Sequence, residues 1–357
     1  MDSAEFDYSL PPERIAQRPA RPRDASRILL LSRHEGALAA AGSPISHAFF
    51  RDLPRYLRPG DLLVVNDARV VAARLRGRKQ ATGGGVEILL LGPAGQGRWR
   101  ALARGLGRAP SGTKLSFTSA ASAESLEEKL EAELLGREPD GAVLLGFSGI
   151  AAEAPTRLGE MPIPPYIRKG RADEQDRSDY QTCFAATPGA VAAPTASLHF
   201  TRELLERISA RGVEVARLTL HVGWGTFAPI DRDRLDAGRL HSERFALDEG
   251  AARAVNEAKA EGRRVIAVGT TTARVLESVA DSSGRVEAQK GATDLFIRPG
   301  HRFRCMNALI TNFHLPRSSL LMLVAAFAGR EHVLDAYREA LAQDYRFYSY
   351  GDAMFIY

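Results

Sequence analysis

The chain has 357 residues, of which 45% are hydrophobic and 25% charged, a balance that excludes disordered and collagen-like proteins. Its longest apolar run, Leu320 to Ala328, is far shorter than the roughly 20 residues that span a bilayer, so we expect no membrane partner. The acidic N-terminus resembles no secretory signal, and two cysteines give no disulfide framework. We therefore expect a cytoplasmic protein of about two domains.

Basic residues number 48 and acidic residues 43, a net charge of +5, and only six of the basic residues are lysine. Such an arginine excess fits either a compositional bias or contact with phosphates, which arginine binds through planar bidentate bonds. The charge permits a nucleic-acid partner without requiring one.

Strands and helices alternate along most of the chain. The sequence predicts strands at Leu62–Asn66, Val213–Val222, Arg264–Val268 and Ala308–Phe313, and helices at Thr201–Arg211, Asp248–Glu261, Ala273–Ala280 and Arg317–Ala328. This alternation is typical of an α/β domain with a mostly parallel sheet, and we assign residues 1–68 and 152–357 to it.

The intervening residues 69–151 have a different pattern. Short apolar runs at Val86–Leu91, Trp99–Ala103 and Ala142–Phe147 are separated by glycine-rich turns, and only Ala123–Leu135 has a composition that favours helix. This pattern predicts a small all-β, barrel-like domain inserted into the α/β chain. The polar, proline-rich segment Pro155–Asp179 is predicted to be the returning linker and a surface loop.

Four of the eight histidines lie beside predicted turns, namely His199, His221, His241 and His314. Ligands bind at the carboxyl ends of strands in parallel α/β sheets, which is where His221 and His314 fall. For a histidine considered alone, a hydrogen-bonded packing role is the more common one, and the four positions beside turns shift that balance only modestly. Because no histidine or cysteine pair has the spacing of a metal site, we expect no metal.

Other segments suit anions or bases. The turn before the helix at 270 offers backbone N–H groups and hydroxyls from Thr270 and Thr271, and Arg274 adds a guanidinium, although simple helix capping explains the same residues. Aromatic and basic residues alternate at 162–169 and 345–350. Such sets stack unpaired bases and clamp phosphates, or else form a rigid loop and a half-buried strand.

Read together, a series of motifs resembles the S-adenosylmethionine:tRNA ribosyltransferase-isomerase family of queuosine biosynthesis. The motifs, which are specific as an ordered set, lie at 6–17, 22–27, 59–70, 162–167, 180–182, 191–200, 219–227, 265–274, 311–316 and 350–356. The chain departs from the family where Ala237-Gly238 replaces an Asp-His pair, while His241 and Glu243 remain.

The resemblance implies transfer and isomerisation of the ribosyl part of S-adenosylmethionine (AdoMet) onto 7-aminomethyl-7-deazaguanine at the tRNA wobble position. AdoMet is then a co-substrate, modified tRNA the partner, and a monomer the expected state. The reaction needs a base for a ribose C5′ proton, an acid for the departing adenine and a neutral amine. Predicted catalytic residues are His199, His221, His241, Glu243 and His314; AdoMet-binding residues are Thr270, Thr271 and Arg274; substrate-binding residues are Asn66, Asp67, Arg69, Tyr166, Arg168 and Thr195.

Two other classes of function remain open at this point. One is a related transferase that uses AdoMet or a nucleoside with another acceptor, which release of adenine and methionine only with modified tRNA would distinguish. The other is a non-catalytic RNA-binding protein on the same fold, for which loss of the histidines and Glu243 would be the signature.

Overall fold

A computed structural model describes residues 2–33, 44–95, 97–118, 129–148, 156, 159–223 and 232–357. They form two compact units: the first comprises Met1–Arg69, Gln181–Thr187 and Ala193–Tyr357, and the second comprises Val70–Tyr180 and Pro188–Ala192. The domain limits at 69 and 151 stay a prediction, since the compact second unit runs on to Tyr180.

Strands occur along the whole described chain, whereas the α-helices lie mainly in its C-terminal half. The strands are β1 (Arg27–Leu31), β2 (Ile45–Phe49), β3 (Leu62–Asn66), β4 (Ala68–Val70), β5 (Arg74–Lys79), β6 (Gly85–Pro93), β7 (Arg98–Arg104), β8 (Lys114–Thr118), β9 (Lys129–Arg137), β10 (Val143–Phe147), β11 (Thr187–Ala190), β12 (Glu214–Leu220), β13 (Arg239–Leu247), β14 (Val265–Val268), β15 (Gln289–Leu295), β16 (Ala308–Asn312) and β17 (Ala353–Ile356). The helices are α1 (Asp176–Asp179), α2 (Arg202–Ser209), α3 (Arg232–Ala237), α4 (Glu249–Ala260), α5 (Thr270–Val279), α6 (Ser319–Ala328) and α7 (Arg330–Ala342).

The first unit is built on a nine-stranded sheet in the order β15-β13-β12-β3-β14-β16-β17-β1-β2. Its centre, β12-β3-β14-β16, is parallel, as is the β17-β1 pair, whereas the other four neighbouring pairs are antiparallel. The predicted α/β class is confirmed, and the sheet is mixed. Strands β3, β14 and β16 are buried along their whole length, as their continuous apolar sequences require.

The helices begin where the sequence places caps. The hydroxyl of Thr201 accepts a hydrogen bond from the Leu204 N–H at 3.1 Å, and Asp248 caps α4 through the Ala251 N–H at 2.7 Å. These side chains satisfy N–H groups that have no partner inside the helix. The predicted helices at Thr201–Arg211 and Asp248–Glu261 are thereby confirmed.

The second unit contains a closed six-stranded barrel in the order β10-β7-β6-β5-β8-β9, which confirms the barrel-like all-β prediction. Alternate residues such as Ile88, Ala101 and Leu115 fill its interior. Gly77 is required by close packing, because a Cβ there would lie 2.2 Å from the Ser116 carbonyl oxygen. Closure pairs every strand with two neighbours, so this barrel has no open edge.

The structure corrects two local expectations. Ala123–Leu135 has a composition that favours helix, but its described part lies in β9, where Leu130, Ala132 and Leu134 alternate into the barrel core. The two-residue period outweighs the helix-favouring composition because burial of one face contributes more than intrinsic propensity. The described part of Pro155–Asp179 is a surface loop only in part: Met161 and Ile163 are buried, residues 171 and 173–175 are exposed, and the segment ends in α1. Residues 119–128 lie outside the described residues.

Candidate active site

The parallel centre of the large sheet brings polar residues to one edge. Strands β12, β3, β14 and β16 run in the same direction, so the residues that follow them lie side by side. In sheet order these residues are His221, Asp67, Thr270 and His314. The structure thus brings together elements from four of the predicted motifs.

Asn66, at the end of β3, connects neighbouring elements at this edge of the sheet through the hydrogen bonds of its side chain. Its Oδ1 accepts hydrogen bonds from the backbone N–H groups of Leu220 (3.1 Å) and Ala68 (3.0 Å). Its Nδ2 donates to the Leu220 carbonyl at 3.0 Å and to the Thr271 hydroxyl at 3.4 Å. The amide therefore uses its hydrogen-bonding capacity internally and fixes β3 against β12 and the start of α5.

Asp67 and His221 form the half-exposed part of the edge. The Thr219 hydroxyl donates to Asp67 Oδ1 at 2.6 Å, and the Thr187 hydroxyl lies 3.4 Å from Oδ2. His221 follows Thr219 by two residues, and its buried Nδ1 has no hydrogen-bond partner within the described ranges. Burial and the charge of Arg244 lower the pKa of His221, while Asp67 raises it. The imidazole is therefore neutral at pH 7 with a carboxylate nearby, which suits proton transfer.

His199 has a fully buried environment. Its Nδ1 lies 2.7 Å from the Ser26 hydroxyl and its Nε2 lies 3.1 Å from Asn312 Nδ2, while the ring stacks on Phe50 at 4.9 Å. Asn312 accepts from the Thr195 hydroxyl at 2.9 Å, so its amide nitrogen faces the imidazole as a donor. Nε2 is consequently the acceptor and Nδ1 carries the proton. Burial, with smaller contributions from nearby arginines, lowers the pKa of His199 to about 3.

His314 is similarly enclosed. Its Nε2 lies 2.7 Å from the Thr311 hydroxyl, its backbone N–H donates to the Tyr337 hydroxyl at 2.9 Å, and its carbonyl accepts from the Tyr8 hydroxyl. Burial lowers the pKa of His314 to about 3. Both buried histidines are neutral at physiological pH.

Glu243 and Arg274 form a buried ion pair beside α5, each side chain being 4% exposed. Glu243 Oε1 also accepts from the Gly223 N–H at 2.7 Å, and Arg274 Nε donates to the Leu295 carbonyl at 3.0 Å. The pair therefore ties β13, β15 and the chain after β12 to α5 just beyond its first turn. Thr270 and Thr271, buried in that turn, begin a ten-residue helix whose N–H groups suit an anion.

The remaining predicted residues lie elsewhere. His241 is exposed on β13, and Arg69 is exposed after β3. Tyr166 and Arg168 belong to the second unit, where Arg168 pairs with the buried carboxylate of Asp176.

Sequence reasoning missed Ser26, Thr219 and Asn312, which hold predicted residues in place. Thr219 and Asn312 could have been recognised as candidate site residues, since each is a polar residue at a buried strand position. Ser26 could not have been recognised in this way, because its partner His199 is distant in the sequence. The aromatic residues of 345–350 are buried, which fits the packing alternative for that segment.

No group of three or more His, Cys, Asp or Glu side chains in the described part of the chain is arranged to hold a metal ion. Among the helices of the described ranges, none has both the length and the apolar character needed to cross a membrane.

Acid–base side chains at the carboxyl ends of parallel strands define an α/β enzyme, here with a six-stranded barrel. Residues 3–356 match the sequence model of the family described as queuosine biosynthesis protein. The chain belongs to this family.

Similar proteins include an S-adenosylmethionine:tRNA ribosyltransferase-isomerase of Moorella thermoacetica, 48% identical over 99% of this chain and 98% of the relative. Another of the same name, from Thermus thermophilus, is 51% identical over 98% of each chain. The crystal structure of an S-adenosylmethionine tRNA ribosyltransferase from Thermotoga maritima has 39% identity and a TM-score of 0.54, covering 99% of this chain and 100% of that one.

Because His199 and His314 are buried in the neutral form, the stability of the protein should decrease in acid. His199 and His314 titrate near pH 3 when folded and near 6.5 when unfolded, so the unfolded chain binds more protons between these values. Their contribution to stability is complete above pH 6.5 and is lost as the pH falls. At pH 5 each histidine should lower the free energy of unfolding by about 2 kcal/mol relative to pH 7.5, as measured by urea denaturation.

The control is a pair of variants. His199→Gln should be less stable than the wild type at pH 7.5 but should depend less steeply on pH. His241→Gln, at an exposed position, should leave both properties unchanged. Equal pH dependence in the wild type and His199→Gln would contradict the neutral assignment of His199.

Proposed function

We propose that the protein transfers and isomerises the ribosyl part of AdoMet onto the 7-aminomethyl-7-deazaguanine base at the wobble position of tRNA. The products are epoxyqueuosine-tRNA, adenine and methionine. The observation that carries this proposal is 48–51% identity, over nearly the full length of both chains, to proteins named S-adenosylmethionine:tRNA ribosyltransferase-isomerase. AdoMet acts as a co-substrate, no metal takes part, and the enzyme works in the cytoplasm as a monomer.

The proton transfers are assigned to the Asp67–His221 region. The sulfonium of AdoMet acidifies the ribose C5′ protons, so a neutral base of ordinary strength can remove one. His221 is neutral at pH 7 and has an uncommitted Nδ1. When His221 accepts the proton, the nearby Asp67 carboxylate stabilises the imidazolium. Thr219 positions Asp67 through its 2.6 Å hydrogen bond.

The other predicted residues take supporting roles. Glu243 and Arg274 fix α5 just beyond its first turn, and His199 and His314 act as neutral hydrogen-bonding groups rather than as titrating bases. Asn66 positions the edge on which His221 lies. The residues proposed to contact the tRNA or its base are Asp67, Arg69, Tyr166, Arg168, Thr195 and His241.

The methionine carboxylate of AdoMet is proposed to bind at the start of α5. The N–H groups of this helix and the hydroxyls of Thr270 and Thr271 fit a carboxylate. Arg274 lies one turn further on, but its guanidinium already bonds Glu243 and the Leu295 carbonyl.

The test of the reaction is turnover of AdoMet with tRNA carrying the aminomethyl-deazaguanine base. Mass spectrometry should detect adenine and methionine in equal amounts, and the RNA should gain the ribosyl group. Unmodified tRNA of the same sequence is the control. Release of adenine and methionine without modified tRNA would contradict the proposed acceptor.

For the cofactor site, Arg274→Ala should weaken AdoMet binding about tenfold to a hundredfold if the guanidinium also reaches the carboxylate, since a charged hydrogen bond contributes about 1.5–3 kcal/mol. Glu243→Gln is the matched variant. It frees Arg274 and should preserve or strengthen AdoMet binding. Calorimetry on both folded variants separates the roles, and unchanged affinity in Arg274→Ala would show that Arg274 serves Glu243 alone.

For the base, His221→Ala should lower kcat by about 10²–10⁴ while tRNA binding and melting temperature stay near those of the wild type. In the pH profile of kcat/KM, the midpoint of the acid limb should lie below the ordinary imidazole pKa of about 6.5, because the pKa of His221 is lowered. Asp67→Asn removes the charge that raises this pKa, so its acid limb should move to still lower pH. His332→Ala on α7 is the control, and normal turnover in His221→Ala would refute the assignment.

A further inference from the structure

One end of the barrel carries an unusual concentration of positive charge. Three loops meet there: 80–84 between β5 and β6, 105–113 between β7 and β8, and 138–142 between β9 and β10. We call this end, with the strand termini that flank the loops, the cationic rim. Its cationic residues are Arg78, Lys79, Arg104, Arg108, Lys114 and Arg137.

We propose that the cationic rim binds the phosphodiester backbone of the tRNA substrate. This inference rests on the proposed function, because it supplies a docking surface for the same tRNA. The rim lies wholly within the second unit, and its loops contact one another inside that unit.

The loops of the rim are connected into one surface. Lys79 Nζ donates to the Gly105 carbonyl at 3.1 Å, and the Gln80 N–H donates to the Lys114 carbonyl at 3.0 Å. Arg137 Nη2 donates to the Gly107 carbonyl at 2.6 Å, which ties the end of β9 to the second loop. These bonds hold the cationic side chains on a preformed scaffold, which limits the ordering entropy lost on binding.

The positive charge of the rim is partly compensated. Its loops and flanking strand termini hold six cations and two anions. Three further carboxylates lie beside them: Glu87 and Glu133 are opposite Arg104 and Lys114 in the strand register, and Glu131 accepts from Gln80 Nε2 at 2.9 Å. The two anions, Glu138 and Asp140, both bond Arg100 on β7, at 2.6 and 2.7 Å. Arg100, a seventh cation, compensates one of these two negative charges.

The other acidic residues nearby leave three arginines available. Glu87 faces Arg104 across β6 and β7, but its carboxylate lies 3.1 Å from Arg76. Arg78, Arg104 and Arg108 are exposed, and none has a carboxylate within 4 Å among the residues that the structure describes. Arg78 Nη1 also donates to the Gly83 carbonyl at 3.2 Å. Exposed guanidiniums that have no ion-pair partner are the groups that bind phosphates bidentately.

Glycines keep the backbone of the rim accessible. Gly83, Gly107 and Gly141 have φ angles of 70°, 55° and 86°, in the left-handed region that favours glycine. A Cβ added at any of the three would meet nothing within 4 Å, so the space beside each turn is open. A phosphate group can therefore approach the main chain closely at these turns.

The chemistry of the rim selects RNA as the partner. Regularly spaced phosphates match several unpaired arginines on a rigid surface, and release of counterions drives such binding. By contrast, Arg168, one of the cations in the sequence motif 162–169, is paired with the buried Asp176, and Lys169 beside it is exposed. The rim thus offers more available charge than the motif does.

The experiment compares Arg78→Gln/Arg104→Gln/Arg108→Gln with the wild type on modified tRNA. Binding is measured by fluorescence anisotropy at several salt concentrations. The variant should bind tRNA about tenfold to a hundredfold more weakly, and its slope of log K against log salt should be shallower by roughly 2–3, about 0.7–0.9 for each lost contact. The KM for tRNA should rise while kcat at saturation and AdoMet affinity stay unchanged.

Two controls accompany this variant. Lysine at the same three positions keeps the charge and should keep the salt slope. Glutamine at Arg253, Arg285 and Arg302, exposed in the first unit, makes the same charge change and should leave tRNA binding near that of the wild type.

Wild-type turnover together with an unchanged salt slope in the glutamine variant of the rim would overturn the docking surface and leave the proposed function intact. An equal loss of binding in the first-unit control would also overturn it, because net charge alone would then explain the effect. Absence of tRNA turnover by the wild type would overturn the proposed function and the docking surface together.

Discussion

The amide of Asn66 is the interaction on which the candidate site depends. It lies at the end of the central strand β3, is fully buried, and bonds the backbone of β12 and the Thr271 hydroxyl of α5. One side chain thereby sets the relative positions of His221 and the turn at the start of α5 that is proposed to bind AdoMet. A residue without this donor and acceptor set would leave several buried polar groups unpaired, at about 1–3 kcal/mol each.

The histidines His199, His221 and His314 show how environment divides one residue type into different roles. His199 and His314 have ring nitrogens bonded to protein side chains and are buried, so they stay neutral hydrogen-bonding groups. His221 is half-exposed, has an uncommitted Nδ1 and senses both Arg244 and Asp67. Only the last environment combines partial exposure of the ring with electrostatic tuning, which is why the acid–base role is assigned there.

Much of the fold follows from the sequence because local signals agree with burial. The apolar runs of β14 and β16 and the capping residues of α2 and α4 identify those elements directly. The strand β9 cannot be identified from local signals in this way. Lys129–Leu135 has helix-forming residues, and only closure of the barrel favours its alternating pattern.

The site is less predictable than the fold for a different reason. The motif positions correctly indicate His221, Asp67 and the start of α5 at one edge. Partners such as Ser26 for His199, or Glu243 for Arg274, come from distant parts of the chain. Whether a charged or titratable side chain is free or already bonded depends on such long-range contacts, which the order of residues does not encode locally.

Closure of the six-stranded barrel has a consequence for how this protein can vary. Because all six strands find their partners inside the ring, a loop that adds no side chain to the core contributes little to the stability of the barrel. Residues 80–84 form such a loop, whereas 105–113 supplies Leu106 to the core. Lengthening a flexible loop costs only about 0.6 kcal/mol for each doubling of its length. Residues 80–84 can therefore change in length and sequence while the barrel persists. This end of the molecule is consequently the place where natural selection can adjust surface chemistry separately from the sheet that holds the histidines.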